Sequence, residues 1–169
     1  FPTKPASPDK TELSEITGSS AKLDFSLSTN HSGFTVYLHQ LDKNGETLKR
    51  TKVADANLSV TAKDLESATK YRFEVCSYNK YNGEYTYSDP VYSDAFTTLP
   101  GKVKDLKAIS SKNVISLSWT LQSGADGYEV YDGNKVLLEE LASGKNIYTV
   151  YSLEEGKDYT FFVRAFIKN

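Results

Sequence analysis

Leu65-Glu-Ser-Ala-Thr-Lys-Tyr71-Arg-Phe73-Glu-Val75 recurs in the same chain as Leu153-Glu-Glu-Gly-Lys-Asp-Tyr159-Thr-Phe161-Phe-Val163, each numbered residue lying 88 positions further on. In both copies a leucine precedes a tyrosine by six residues, and apolar residues then alternate with others at period two. That alternation predicts a strand with one buried face. A tyrosine at the head of such a strand predicts a tyrosine corner, with the ring buried and the hydroxyl bonded back to upstream backbone. The spacing thus predicts two buried rings, Tyr71 and Tyr159, each in its own small β core.

Working outward from the first copy, strands are predicted wherever the alternation persists. Residues 1–9 hold three of the five prolines and read as an extended linker or a frayed edge strand. Leu13 and Ile16 open an apolar pattern that ends at the Gly18-Ser-Ser turn. Ala21, Leu23, Phe25 and Leu27 alternate, as do Phe34, Val36 and Leu38 after Gly33. Asp42-Lys-Asn-Gly45 is a hairpin signal, because Asn-Gly accepts the positive φ of a tight turn. Leu48–Val53 returns, and Leu58, Val60 and Ala62 form a further strand before the corner. Tyr71–Tyr78 follows, and Asn82-Gly83 turns the chain into a last strand between Tyr87 and Thr98. Seven short strands with turns between them describe an all-β sandwich.

Thr98-Leu-Pro-Gly101 is the joint, after which the pattern restarts. Leu106 and Ile109 match Leu13 and Ile16. Val114–Trp119 matches Ser20–Phe25, and Gly127-Tyr-Glu-Val-Tyr131 matches Gly33-Phe-Thr-Val-Tyr37 with 94 residues between equivalents. The separation falls to 88 by the corner, so the second copy is six residues shorter in between. A hairpin loop absorbs such a deletion at least cost. The boundaries expected are 6–98 for the first module and 99–169 for the second.

Leu-Ser-Trp119, Gly-Tyr-Glu-Val-Tyr131 and Leu153…Gly156…Tyr159-Thr-Phe-Phe-Val-Arg-Ala165 resemble a fibronectin type III module. That family places a tryptophan on the second strand and an L-x-x-G-x-x-Y corner before the sixth. The first copy is similar but has Phe25 in place of the tryptophan and Ala68 in place of the glycine. Immunoglobulin-type domains are disfavoured, since they want a cysteine two residues after the corner tyrosine and Phe73 and Phe161 stand there. The hairpin from Tyr78 to Asp89 also resembles those of modules in bacterial secreted and cell-wall proteins. The resemblance implies two tandem seven-strand-type sandwiches. The second ends at Asn169, directly after its sixth strand, and so lacks the last one. Its open edge is expected to be completed by further chain or by strand addition from another molecule.

Composition narrows the function classes. Net charge is −2, which gives no pull toward nucleic acid or anionic lipid. No apolar run reaches the roughly 18 residues of a spanning helix, so no membrane insertion is expected. With one cysteine, Cys76, no disulfide can close within the chain. The chain opens Phe1-Pro2 and contains no methionine, as a processed form or excised fragment of a larger protein would. Asn30-His-Ser32 and Asn57-Leu-Ser59 are glycosylation sequons, meaningful only in a eukaryotic secretory pathway.

Few residues carry chemistry. Cys76 and His39 fall out of phase with their strands' apolar faces, which predicts an exposed pair on neighbouring strands. No third group orients them, so the pair is expected to be surface rather than catalytic or metal-binding. His31 has no evident partner. No phosphate loop, cofactor motif, Arg-Gly-Asp tripeptide or W-S-x-W-S box occurs. Tyr78, Tyr81, Tyr85, Tyr87 and Tyr92 cluster on one hairpin, where they serve either as cross-strand packing or as contacts to a protein or carbohydrate ligand. Tyr131, Phe162 and Phe166 fall on the outward phase of the second copy and form a candidate interface. The expectation is a non-catalytic spacer or interaction module of a secreted or cell-surface protein, with neighbouring domains as partners. The alternative is a dedicated binding protein that uses the tyrosine hairpin.

Overall fold

The computed structural model describes residues 3–26 and 29–168, and these divide into two compact units, Phe1–Leu99 and Pro100–Asn169. Leu27, the last residue of one expected alternation, lies outside the described residues. Every regular element described is a strand, and every pairing is antiparallel.

Unit 1 holds β1 (Thr11–Ser14), β2 (Ala21–Phe25), β3 (Gly33–Leu41), β4 (Thr47–Ala56), β5 (Ser59–Ala62), β6 (Lys70–Tyr81), β7 (Glu84–Tyr87), β8 (Val91–Tyr92) and β9 (Phe96–Thr97). One sheet runs β1-β2-β5. The other runs β4-β3-β6-β7, with β8 and β9 also on β6. The single last strand expected between Tyr87 and Thr98 is thus two short pieces, β8 and β9, which with β7 make three stretches paired with β6. Proline cannot donate to a ladder, and Pro90 falls in the first break between them. Alternation sends Ala21, Leu23, Phe25, Phe34, Val36, Leu38, Val60, Ala62, Tyr71, Phe73, Val75 and Phe96 into one core. Residues 3–9 form no strand, but Pro5 and Pro8 are buried. Ser77 Oγ donates to Ala6 O at 2.5 Å, and Asn79 Nδ2 donates to Thr3 O at 2.9 Å.

Unit 2 holds β10 (Lys104–Ser111), β11 (Val114–Thr120), β12 (Gly127–Asp132), β13 (Leu137–Ala142), β14 (Ile147–Val150) and β15 (Phe161–Phe166), in sheets β10-β11-β14 and β13-β12-β15. The six missing residues come out of the β12–β14 region, where β13 has 6 residues against 10 in β4. The buried core is smaller: Leu117, Trp119, Ala125, Tyr128 and Val130, with half-buried side chains around it.

The first strands of the two units do not correspond as expected. Leu13 faces Leu23 in the first, but a register shift between Lys104 and Lys107 takes in Leu106, and Ala108 faces Leu117. Ile109 consequently faces Ser116 on the outer side and is 67% exposed. A one-residue slip turns a strand's side chains to the opposite face.

Both corners form. The Tyr71 hydroxyl accepts from Glu66 N–H at 3.0 Å, and the Tyr159 hydroxyl accepts from Glu154 N–H at 2.9 Å. Their burial differs, against expectation: Tyr71 is 5% exposed and Tyr159 is 38%. Tyr71 pairs with Phe96 of β9, whose ring lies 6.0 Å away. Among the described residues of unit 2 nothing stands where β9 would, and β15 pairs with β12 alone. The modular division is independent of this burial, because each unit keeps a core of its own.

Turn chemistry explains the hairpins. Asp42 Oδ1 accepts from Asn44 and Glu46 N–H, and Asp132 Oδ1 accepts from Asn134 and Val136 N–H, so one carboxylate caps the same loop in each unit. Asn82 and Gly83 take φ of 46° and 88°, which fits a primed turn.

Candidate recognition surface

The outer face of the β4-β3-β6-β7 sheet collects almost every residue that carries chemistry in unit 1. Register puts Gly33 opposite Tyr78, Thr35 opposite Cys76, Tyr37 opposite Glu74 and His39 opposite Arg72. On the other side of β3, Tyr37 faces Lys52 and His39 faces Arg50. Alternation along three strands therefore turns cations, aromatics and one carboxylate outward together.

Glu74 is the hub of this face. Its side chain is 7% exposed, and Oε1 and Oε2 accept from Arg50 Nη2 and Nε at 2.6 and 2.9 Å. His39 Nε2 lies 2.6 Å from Oε2, and His39 Nδ1 lies 3.0 Å from Thr47 Oγ1. Arg50 holds the Glu74 carboxyl below its usual range, with burial opposing and His39 adding to the effect. Glu74 in turn raises Arg50. The guanidinium also lies 3.4 Å from the centre of the Tyr37 ring. Thr47, His39 and Glu74 follow the order of a nucleophile, base and acid. The carboxylate is nevertheless forked onto Arg50, so its charge serves that pair, and the bonds tie β4, β3 and β6 together.

Cys76 and His39 are each 6% exposed, so the exposed pair expected from the sequence is buried. The phase was right, but Arg50 and Tyr92 cover this face: the Tyr92 ring meets His39 edge-on at 5.9 Å. Cys76 Sγ lies 3.7 Å from Glu74 Oε1. Burial first, and Glu74 second, push its pKa up to about 11. A thiol that stays protonated at neutral pH is a poor nucleophile.

The five tyrosines separate into three groups. Tyr78, Tyr85 and Tyr87 form one cluster: Tyr85 and Tyr87 lie 6.1 Å apart with their planes within 12°, and Tyr78 meets them edge-on at 5.2 and 6.1 Å. Tyr78 lies over Gly33, where a Cβ would come within 2.6 Å of its hydroxyl. Tyr85 and Tyr87 remain 47% and 45% exposed. Lys80 Nζ lies 5.1 Å from the Tyr85 ring centre. Tyr92 sits apart, beneath Arg72 at 4.5 Å. Tyr81 pairs with Glu84 at the hairpin end, on the opposite phase from Tyr78, and is 60% exposed.

The equivalent face of unit 2 repeats this plan with different residues. Tyr131 faces Phe162, Glu129 faces Arg164, and Phe166 covers Gly127 as Tyr78 covers Gly33. Arg164 Nε and the Tyr131 hydroxyl both donate to Glu129 Oε2. Arg164 keeps the Glu129 carboxyl below its usual range, and the bond to Glu129 raises the Tyr131 phenol. The exposed aromatic trio expected here reduces to Phe162, at 45% exposure, because Tyr131 and Phe166 are half-buried by these contacts.

A groove of about 410 Å³ opens between β4 and β5, with Leu38, Ala62, Leu65 and Tyr71 among its apolar lining and Lys49 and Lys63 among its polar lining. It does not include Glu74, His39 or Cys76. Among the described residues no group of three or more His, Cys, Asp or Glu is placed to hold a metal ion, and no helix is long and apolar enough to cross a membrane.

Two antiparallel sandwiches in tandem, the first with its buried imidazole and thiol both held against the Glu74 carboxylate, define a β-sandwich module pair. The fibronectin type III domain profile matches residues 6–94, and the chain belongs to that family. A two-fibronectin-type-III-domain segment of chicken tenascin is similar over 95% of this chain and 91% of its own length, with 17% identity and a TM-score of 0.60. The FN1–FN3 domains of chicken CNTN1 align over 97% of this chain and 62% of theirs, with 19% identity and a TM-score of 0.48. Modules of this fold are typically spacers or interaction units within larger proteins.

Proposed function

We propose that the chain is a non-catalytic spacer and interaction segment of a larger secreted or cell-surface protein of bacterial origin. The observation that carries this reading is the hub at Glu74. The acid and base of unit 1 are spent on cross-strand bonds, the thiol lies against the same carboxylate, and all three lie outside the groove. Each module has its own core, so each serves as a separate structural unit beside neighbouring domains of the same polypeptide. Strand addition at β15 is a further way for this segment to join a partner, since one side of that strand is unpaired among the described residues. Hydrogen exchange tests the edge: amides of Phe161–Phe166 not bonded to β12 exchange freely while the edge is open and become protected once it is filled.

Recognition through the tyrosine hairpin is the second reading, favoured by the half-exposed, nearly parallel rings of Tyr85 and Tyr87. Pull-downs with the immobilised chain decide between the two. A spacer captures the same set of molecules as the Tyr85→Ala plus Tyr87→Ala variant. A partner held only by the parent chain assigns recognition to the hairpin.

A further inference from the structure

The outer face of β4-β3-β6-β7 carries an unbalanced charge that the hairpin reading does not use. Register places Arg50, Lys52, Arg72 and Lys80 on this face, with the carboxylates Glu74 and Asp55. Both carboxylates are consumed within it: Glu74 by Arg50 and Asp55 by Lys52 at 2.9 Å. No salt bridge among the described residues engages Arg72 or Lys80. These two cations lie instead over Tyr92 and Tyr85, which orders them without neutralising them. The face is therefore positive on a chain whose net charge is −2.

Beside Lys80 stand the nearly parallel rings of Tyr85 and Tyr87 on the ribbon of β6 and β7. Aromatic rings held by cross-strand packing offer large contact area at low conformational cost. The C–H face of a pyranose lies flat on such a ring, and an adjacent ammonium pairs with a carboxylate or sulfate on the same sugar. We infer that this face binds an acidic polysaccharide, with sugar rings on Tyr85 and Tyr87 and the anionic group at Lys80. The inference rests on the recognition reading of the hairpin and adds the class of ligand. On the equivalent face of unit 2 the cations over aromatics, Arg164 over Tyr131 and Lys168 over Phe166, are paired with Glu129 and Glu140, so the unneutralised cations belong to unit 1.

Affinity electrophoresis of the whole chain in gels containing polygalacturonate or amylose tests this, with melting temperatures confirming that each variant is folded. Polygalacturonate is expected to retard the chain, and added salt to relieve the retardation. Tyr85→Ala and Lys80→Gln each weaken the affinity about tenfold. Tyr81→Ala, on the opposite phase, leaves it unchanged. No retardation by polygalacturonate, or retardation that folded Lys80→Gln retains, overturns the acidic-glycan assignment. Retardation by amylose alone that Tyr85→Ala abolishes also overturns it while leaving recognition at the hairpin standing. A partner protein held through the same tyrosines does likewise. If no partner of any kind depends on Tyr85, the underlying reading fails with it.

Discussion

Tyr71 and Tyr159 make the same hydrogen bond at the same place in two copies of one fold, yet one is buried and the other is more than a third exposed. The corner bond is local and depends only on the spacing of leucine, tyrosine and the turn between them. Burial depends on a distant strand. In unit 1, β9 brings Phe96 against both Tyr71 and Phe73, and Thr98 fastens the corner by donating to Glu66 O at 2.6 Å. Unit 2 has no counterpart among its described residues. The two copies thus separate what a short sequence motif specifies from what the rest of the sandwich must add.

The core difference predicts the largest effect. Trp119 is 3% exposed and packs on Tyr128 in a core of five buried residues. Trp119→Ala should cost about 3–5 kcal/mol and unfold unit 2 alone. Calorimetry should show the transition of unit 1 unmoved. A fall in both together would make the two units one thermodynamic body and erase the comparison.

Next comes the hub, which only unit 1 buries so fully. Glu74→Ala leaves His39 and Arg50 without their acceptor and should cost unit 1 about 2–3 kcal/mol, moderated because Arg50 is half in water. Because the folded carboxyl titrates below its ordinary 4.5, its stabilisation is complete above that value and is lost as pH falls through the lowered one. Acid titration of unit 1 by circular dichroism should flatten below pH 4.5 in the variant relative to the parent chain.

The corners themselves give a smaller contrast. Tyr71→Phe strands the Glu66 N–H in a covered site and should cost about 1–2 kcal/mol, while water replaces the Tyr159 hydroxyl at a cost below about 0.5 kcal/mol. Equal losses in urea titrations of the two variants would show that burial of the ring does not govern the worth of its bond.

The smallest contrast lies in the turn before each tyrosine. Gly156 has φ of 77°, and Ala68 holds the equivalent position at 50°. An alanine there carries backbone strain. Ala68→Gly should stabilise unit 1 by about 0.5 kcal/mol, because relief of strain outweighs the added freedom of the unfolded chain, and Gly156→Ala should destabilise unit 2 by about 1 kcal/mol. No Cβ clash intervenes at Gly156, so the conformation alone is tested.

Period-two alternation was sufficient to read the sandwiches, because burial on one face imposes it strand by strand. It placed Phe25, Val36, Phe73 and Trp119 inside and marked the Asn82-Gly83 turn. It failed at Ile109, where a bulge reverses the face without altering the composition of the strand. It also left the hub unseen. His39, Arg50 and Glu74 lie on three strands, far apart in sequence, and each alone reads as solvated charge. Their meeting follows from register, which pattern cannot supply across a long hairpin. The tyrosine cluster was legible as a cluster, but its division into Tyr78, Tyr85 and Tyr87 on one face and Tyr81 on the other required the strand pairing.

The sealed sulfhydryl of Cys76 makes the first module its own clock. A thiol reagent in the solvent can reach it only when the side chains covering that outer face move aside, so the pace of labelling reads out local opening of the first module while the second stays silent. No probe need be engineered to time one half of the molecule against the other.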